Sequence, residues 1–142
     1  MRVVLDTDVL VSALRSSTGA SRLWVDAILR KRLEIAISVP LAIEYESVLT
    51  RPEQLYFLKR SPEDICLVLD TLFDLCYPVE CTFLWRCFLP DPQDDMVLET
   101  AVNGSATQII TFNEKDFRGA DRFGIEILRP GPAWKKWKGE IL

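Results

Sequence analysis

Two aspartates close the first apolar run of the chain, Val3-Val4-Leu5-Asp6-Thr7-Asp8. An acid at the end of a buried strand can hold a cation or cap the next helix, and capping explains one of the pair more readily than both. Three further carboxylates crowd Asp91-Pro92-Gln93-Asp94-Asp95 at an expected helix start. A helix dipole favours each acid there by only ~0.3–1 kcal/mol, and adjacent like charges oppose it, so three suggest a cation. Asp95 leads into the apolar stripe of Leu98, Ala101 and Val102 and is expected to project inward. Glu44 falls beside the stripe Leu41, Tyr45, Val48 and Leu49, whereas Glu46 points to solvent. Glu44 reads equally well as a boundary glutamate with a basic neighbour or as a carboxylate aimed across a sheet edge. Asn113, in Thr111-Phe112-Asn113-Glu114-Lys115-Asp116, can bind metal through its carbonyl, orient a water, or simply form a turn. Clustered carboxylates resist joint ionisation. Mg²⁺ or Mn²⁺ relieves that cost, because hard cations choose carboxylate oxygen, and such ions serve phosphoryl chemistry.

Positioning these acids requires elements that deliver them to one place. Arg2–Asp6 reads as a buried strand, with helical spacing over Asp8–Leu14 and an amphipathic helix over Ser21–Arg32. Glu34–Ser38 is a second strand. Pro40 opens a helix over Leu41–Thr50, Glu53–Lys59 is a short helix, and Ser61-Pro62-Glu63-Asp64 starts a helix running to about Cys76. Tyr77–Cys81 is a candidate strand, and Leu84–Leu89 carries no assignable element. Pro92–Asn103 is a helix ending on the Asn103-Gly104 cap signal. Thr107–Thr111 and Ile125–Leu128 are strands, Glu114–Phe117 is a helical turn, and Pro130–Lys138 is a tail with helical character. Strands alternating with helices, the first strand apolar throughout, predict an α/β domain with a parallel sheet covered on both faces. In such sheets ligands sit at the carboxyl ends of the strands.

The whole composition narrows the chemistry. The 142 residues are expected to form one domain, and nearly half are hydrophobic. Histidine is absent, which excludes Ser-His-Asp and Cys-His catalysis, histidine acid–base hydrolysis of RNA, and His-ligated zinc or iron. Cys66, Cys76, Cys81 and Cys87 form no C-x-x-C pair. Asp6 and Asp8 interrupt the apolar start, and no run is long enough for a membrane span, so a reduced cytoplasmic protein is expected. The formal charge of −4 argues mildly against non-specific nucleic-acid binding, although an acidic metal site lowers net charge while the metal reverses the local field.

From Val3-Val4-Leu5-Asp6-Thr7-Asp8-Val9-Leu10-Val11-Ser12-Ala13-Leu14 through Thr111-Phe112-Asn113-Glu114-Lys115-Asp116-Phe117, the chain resembles PIN-domain proteins, in particular the toxin nucleases of prokaryotic toxin–antitoxin pairs. The family pattern is an Asp ending strand one, a Glu in the helix after strand two, an Asp at a later helix start, and an Asp or Asn after the next strand. Asp6, Glu44, Asp95 and Asn113 match it in order. The resemblance implies a three-layer α/β/α fold with a mostly parallel central sheet, and a Mg²⁺- or Mn²⁺-dependent endoribonuclease. Asp6, Glu44 and Asp95 would hold the metal, Asn113 would assist, and Asp94 or Asp91 would be an extra ligand. It also implies an RNA substrate, an antitoxin partner and a homodimer. Two positions depart from the pattern: Asp8 stands where Asn or Ser is usual, and Asn113 where many members have Asp. Contacts to RNA would come from Arg15, Arg22, Lys115, Arg118 or the tail Trp134-Lys135-Lys136-Trp137-Lys138, which reads more simply as a solvated tail pinned by its tryptophans.

Two other readings compete. Asp6-Thr7-Asp8 resembles the nucleophile motif of haloacid-dehalogenase phosphatases, although no matching lysine segment or G-D-x-x-x-D follows. The chain also reads as a PIN-like module that binds RNA or a protein without cutting.

Overall fold

The computed structural model describes residues 1–82 and 89–142. Leu84–Phe88, most of the stretch to which the sequence assigns no element, and Cys87 lie outside them. Five strands form one sheet: β1 (Arg2–Leu5), β2 (Glu34–Ser38), β3 (Tyr77–Val79), β4 (Gln108–Ile110) and β5 (Glu126–Leu128). Their order is β3-β2-β1-β4-β5, and every pairing is parallel. The helices among the described residues are α1 (Thr7–Arg15), α2 (Ala20–Leu29), α3 (Val39–Leu49), α4 (Pro52–Leu58), α5 (Pro62–Leu75), α6 (Pro92–Asn103) and α7 (Pro130–Ile141). The arrangement is the expected three-layer α/β/α fold. No helix among the described residues is long and apolar enough to cross a membrane. Cys66, Cys76 and Cys81 are free thiols.

Burial of the central strand explains its unbroken apolar run. Val3, Val4 and Leu5 are fully enclosed between helical layers, as are Ile35 and Ala36 of β2 and Ile109 and Ile110 of β4. Local signals start the helices. The Ser38 hydroxyl accepts from the Leu41 N–H, with Pro40 in the first turn of α3. Ser61 and Asp64 form a reciprocal capping box at the start of α5.

Gly104 is the C-cap of α6, as expected, with φ −89°, not in the left-handed region; two other local expectations change. It is glycine because a Cβ there would lie 2.6 Å from Val79 Cγ2 and 2.9 Å from the Thr100 carbonyl. A 3₁₀ turn at Ala120–Phe123, between two positive-φ glycines, has no periodic signal and was not expected. The tail is a full helix, α7, docked on α2: Trp24 Nε1 donates to the Pro130 carbonyl at 3.0 Å, and Trp134 meets Trp24 edge-on at 5.6 Å.

The chain leaves β1 for β2 on one side, while β4 pairs on the other. The crevice at the carboxyl ends of β1 and β4 is therefore the switch point of the sheet, where α/β folds bind ligands.

Candidate metal centre

Asp6 follows β1 directly. Its backbone carbonyl accepts the first bonds of α1, and its own N–H donates to Ile110 of β4 at 2.9 Å. The carboxylate is buried between two donors. Thr7 N–H donates to Oδ1 at 2.8 Å, and Thr111 Oγ1, from the end of β4, donates to Oδ2 at 2.7 Å. Asp6 thus both caps α1 and faces the crevice. Burial raises its pKa; the bonds from Thr111 and Thr7 oppose the rise, and Asp116 and Asp91 add to it.

Asp8, in the first turn of α1, accepts at Oδ2 from Asn113 Nδ2 at 3.0 Å and from Phe112 N–H at 3.3 Å. Its Oδ1 is buried without a hydrogen-bond partner. Burial and then the Asp6 charge push its pKa up to about 6, against the pull of Phe112, Val9 and Arg129. Asn113 and Asp8 are the two positions that depart from the family pattern, and they bond to each other.

At the start of α6, successive acids diverge. Asp91 is the N-cap, accepting from Gln93 N–H at 3.0 Å. Asp94 carries a second buried oxygen without a hydrogen bond, Oδ2. Burial, then Asp6, Asp91, Asp116 and Asp8, push its pKa up to about 7. Asp95 is 1% exposed and accepts from Leu89 N–H at 2.8 Å. The inward direction expected for Asp95 is observed, but inward here means the loop before α6.

Glu44 lies half-buried on α3. The next residue, Tyr45, donates from Oη to the Leu5 carbonyl at 2.6 Å, which ties α3 to β1 one residue before Asp6. Glu44 itself is not among the charges acting most on Asp6, Asp8 or Asp94. The structure thus brings Asp6, Asp8, Asp91, Asp94 and Asn113 together at one crevice, with Glu44 half-buried on α3 and Asp95 bonded to Leu89. Sequence reasoning passed over Thr111, Asp116 and Arg129. Asp116 was visible in the stretch after β4; the signal for Thr111 was only that a hydroxyl follows Ile110.

As the side chains stand, no three carboxylates among the described residues close into a ligand group. The donor chemistry nonetheless fits a hard divalent ion. Every candidate is an oxygen, two of those oxygens are buried with no hydrogen bond, and the acids raise one another's pKa values. A family profile described as PIN domain matches residues 2–115. The chain belongs to the PIN-domain family. No curated relative matches it. PIN domains are nucleases that typically use divalent metals, and the matched range includes the crevice residues Asp6, Asp8, Asp91, Asp94 and Asn113. Membership overturns the dehalogenase reading of Asp6 and Asp8.

Proposed function

We propose that this PIN domain is a Mg²⁺- or Mn²⁺-dependent endoribonuclease, the toxin of a toxin–antitoxin pair, acting in the cytoplasm. The observation that carries the reading is the convergence of Asp6, Asp8 and Asp94 at the switch point with two buried, unbonded carboxylate oxygens. Asp6, Asp8 and Asp94 would hold the ion, with Asp91 and Asp116 near enough to act on their charge. Glu44 would join by side-chain rotation, and Asp95 would hold the Leu89 loop. When bound, the ion supplies positive charge for the scissile phosphate and lowers the pKa of water. Thr111 fixes one oxygen of Asp6, and Asn113 fixes one oxygen of Asp8, so each acid has a set orientation before metal arrives. With histidine absent, proton movement falls to these carboxylates and to water.

A protein partner, whether a second copy or an antitoxin, belongs to the same proposal. Its support is apolar exposure on three successive helices: Val39 and Ile43 of α3, Tyr56 and Phe57 of α4, and Leu67 of α5.

The test is cleavage of a mixed RNA pool and a DNA pool with Mg²⁺, Mn²⁺ or EDTA. RNA cutting with metal, abolished by EDTA and reduced at least about 1,000-fold by Asp6→Asn, supports the reading, because loss of a buried ligand removes both the ion and its charge. Cutting that survives EDTA, or cutting of DNA alone, overturns it. Calorimetry separates the non-cutting module: Mn²⁺ bound at a site that Asp6→Asn removes, without RNA turnover, would establish binding alone.

A further inference from the structure

An acidic crevice in a chain of net charge −4 repels the phosphates it must approach, so a nuclease here needs a cation at the rim. Three of the basic residues suggested by sequence are committed elsewhere. Arg15, at the far end of α1, bonds Gln54 and stacks on Phe57; Arg22 pairs with Asp26; Lys136 pairs with Glu126. Arg129 differs. It follows β5 directly, at the same sheet edge as Asp6, since Ile110 of β4 pairs with Leu128 and Thr111 N–H donates to the Leu128 carbonyl at 2.9 Å. It is exposed, forms no ion pair among the described residues, and leaves its helix without a side-chain cap. Its guanidinium carbon lies 5.6 Å from the centre of the Phe112 ring. Phe112 sits between Thr111, which holds Asp6, and Asn113, which holds Asp8, and its own N–H donates to Asp8.

We propose that Arg129 and Phe112 form the substrate-facing rim of the site, the guanidinium taking a phosphate of single-stranded RNA and the ring stacking on a base. The inference rests on the ribonuclease reading. An arginine against an aromatic face keeps its in-plane donors open for phosphate, and aromatic stacking accepts any base. The backbone around Phe112 also fixes the distance between that grip and the acids.

The experiment measures binding of a short fluorescent single-stranded RNA, with Ca²⁺ replacing Mg²⁺ and strand integrity checked on a gel, over a series of salt concentrations. Arg129→Ala should weaken binding roughly tenfold and reduce the magnitude of the log–log salt slope by about 0.7, the value for one lost contact on a single strand. Arg129→Lys should keep the slope. Phe112→Leu, which keeps apolar bulk, should weaken binding about fivefold without changing the slope, a loss of base stacking rather than charge. In Mg²⁺ turnover, Arg129→Ala should raise KM more than it lowers kcat. Unchanged affinity and slope in Arg129→Ala and Phe112→Leu, with wild type binding and cutting RNA, overturns the rim alone. A wild-type chain that neither binds nor cuts RNA overturns the rim and the ribonuclease reading together.

Discussion

At the amino end of β1, Arg2 is surrounded by partners. It bonds Glu34 at 3.0 Å and the Gly104 carbonyl at 2.8 Å, and its guanidinium lies 3.5 Å over the Tyr77 ring. At the carboxyl end of the same strand, roughly 13 Å away at ~3.3 Å per residue, Asp6 and Asp8 face Asp91, Asp94 and Asp116. There the help comes from neutral donors, Thr111 and Asn113, and from Arg129 at the rim. The first end matches charge to countercharge and so contributes to stability. The second accumulates charge of one sign and leaves oxygens unbonded, an arrangement that lowers stability unless a cation completes it.

The sharpest way to break this contrast is on α6, where neighbouring acids belong to the two kinds of environment. Asp94→Asn should cut metal-dependent cleavage by about 100-fold or more, yet raise the melting temperature of the EDTA-treated protein by about 3 °C near pH 7.5. Asp94 binds its proton more tightly in the folded chain, at about 7, than at the ordinary value of 3.8. Its destabilising effect is therefore absent below about pH 4, grows between these values, and is complete above about pH 7. The stabilisation by Asp94→Asn should vanish as pH falls through that window; because the group is partly exposed, solvent screening keeps the gain to about 1 kcal/mol. Asp95→Ala should do the opposite. It removes the acceptor of a buried N–H and should cost about 1–3 kcal/mol of stability. Thermal melts in EDTA across pH, set beside cleavage rates, check both; Asp94→Asn lowering the melting point at neutral pH would remove the idea of accumulated charge.

Much of this was legible in the residues and some was not. The strand and helix order could be read because β1 is apolar on both faces and because Ser38, Ser61 and the prolines announce helix starts. The crevice followed from Asp6 closing a buried strand. Which of Asp94 and Asp95 faces it did not, because that choice depends on the angle at which α6 meets the sheet, a tertiary quantity with no periodic trace. The Asp8–Asn113 bond joins residues 105 apart and could not be read from either one's neighbourhood. The same holds for Thr111 on Asp6. Gly104 was legible as the cap of α6, but not the closeness of Val79 on β3 that also keeps it glycine.

That Asp8–Asn113 pair offers the next test. If the acid has moved across the crevice from one strand end to the other, exchanging the two side chains should restore what either change alone removes. Asp8→Asn should lower metal-dependent cleavage about 10- to 100-fold, the range for disturbing a metal's supporting bonds. Asn113→Asp should set two carboxylates where a hydrogen bond stands and lower both activity and melting temperature. The double variant should recover to within about fivefold of wild type, with a coupling of roughly 1–2 kcal/mol. Additive losses would show that Asp8 acts for a reason unrelated to Asn113.

The smallest effect on chemistry is expected at the other end of β1, and for that reason it tests the comparison most directly. Arg2→Ala removes an ion pair, a bond to a backbone carbonyl and a cation–π contact. Each is partly solvated, so together they should be worth about 1–2 kcal/mol, a fall of about 3–6 °C in melting temperature for a chain of this length. Cleavage at a temperature where the variant stays folded should remain within about twofold of wild type, because charge at this distance through a screened surface barely reaches the crevice. The melting loss should shrink in high salt, where the ion pair contributes less. A large loss of kcat in a fully folded Arg2→Ala chain would mean that the two ends are coupled through β1, and that the matched charges hold the acids in place.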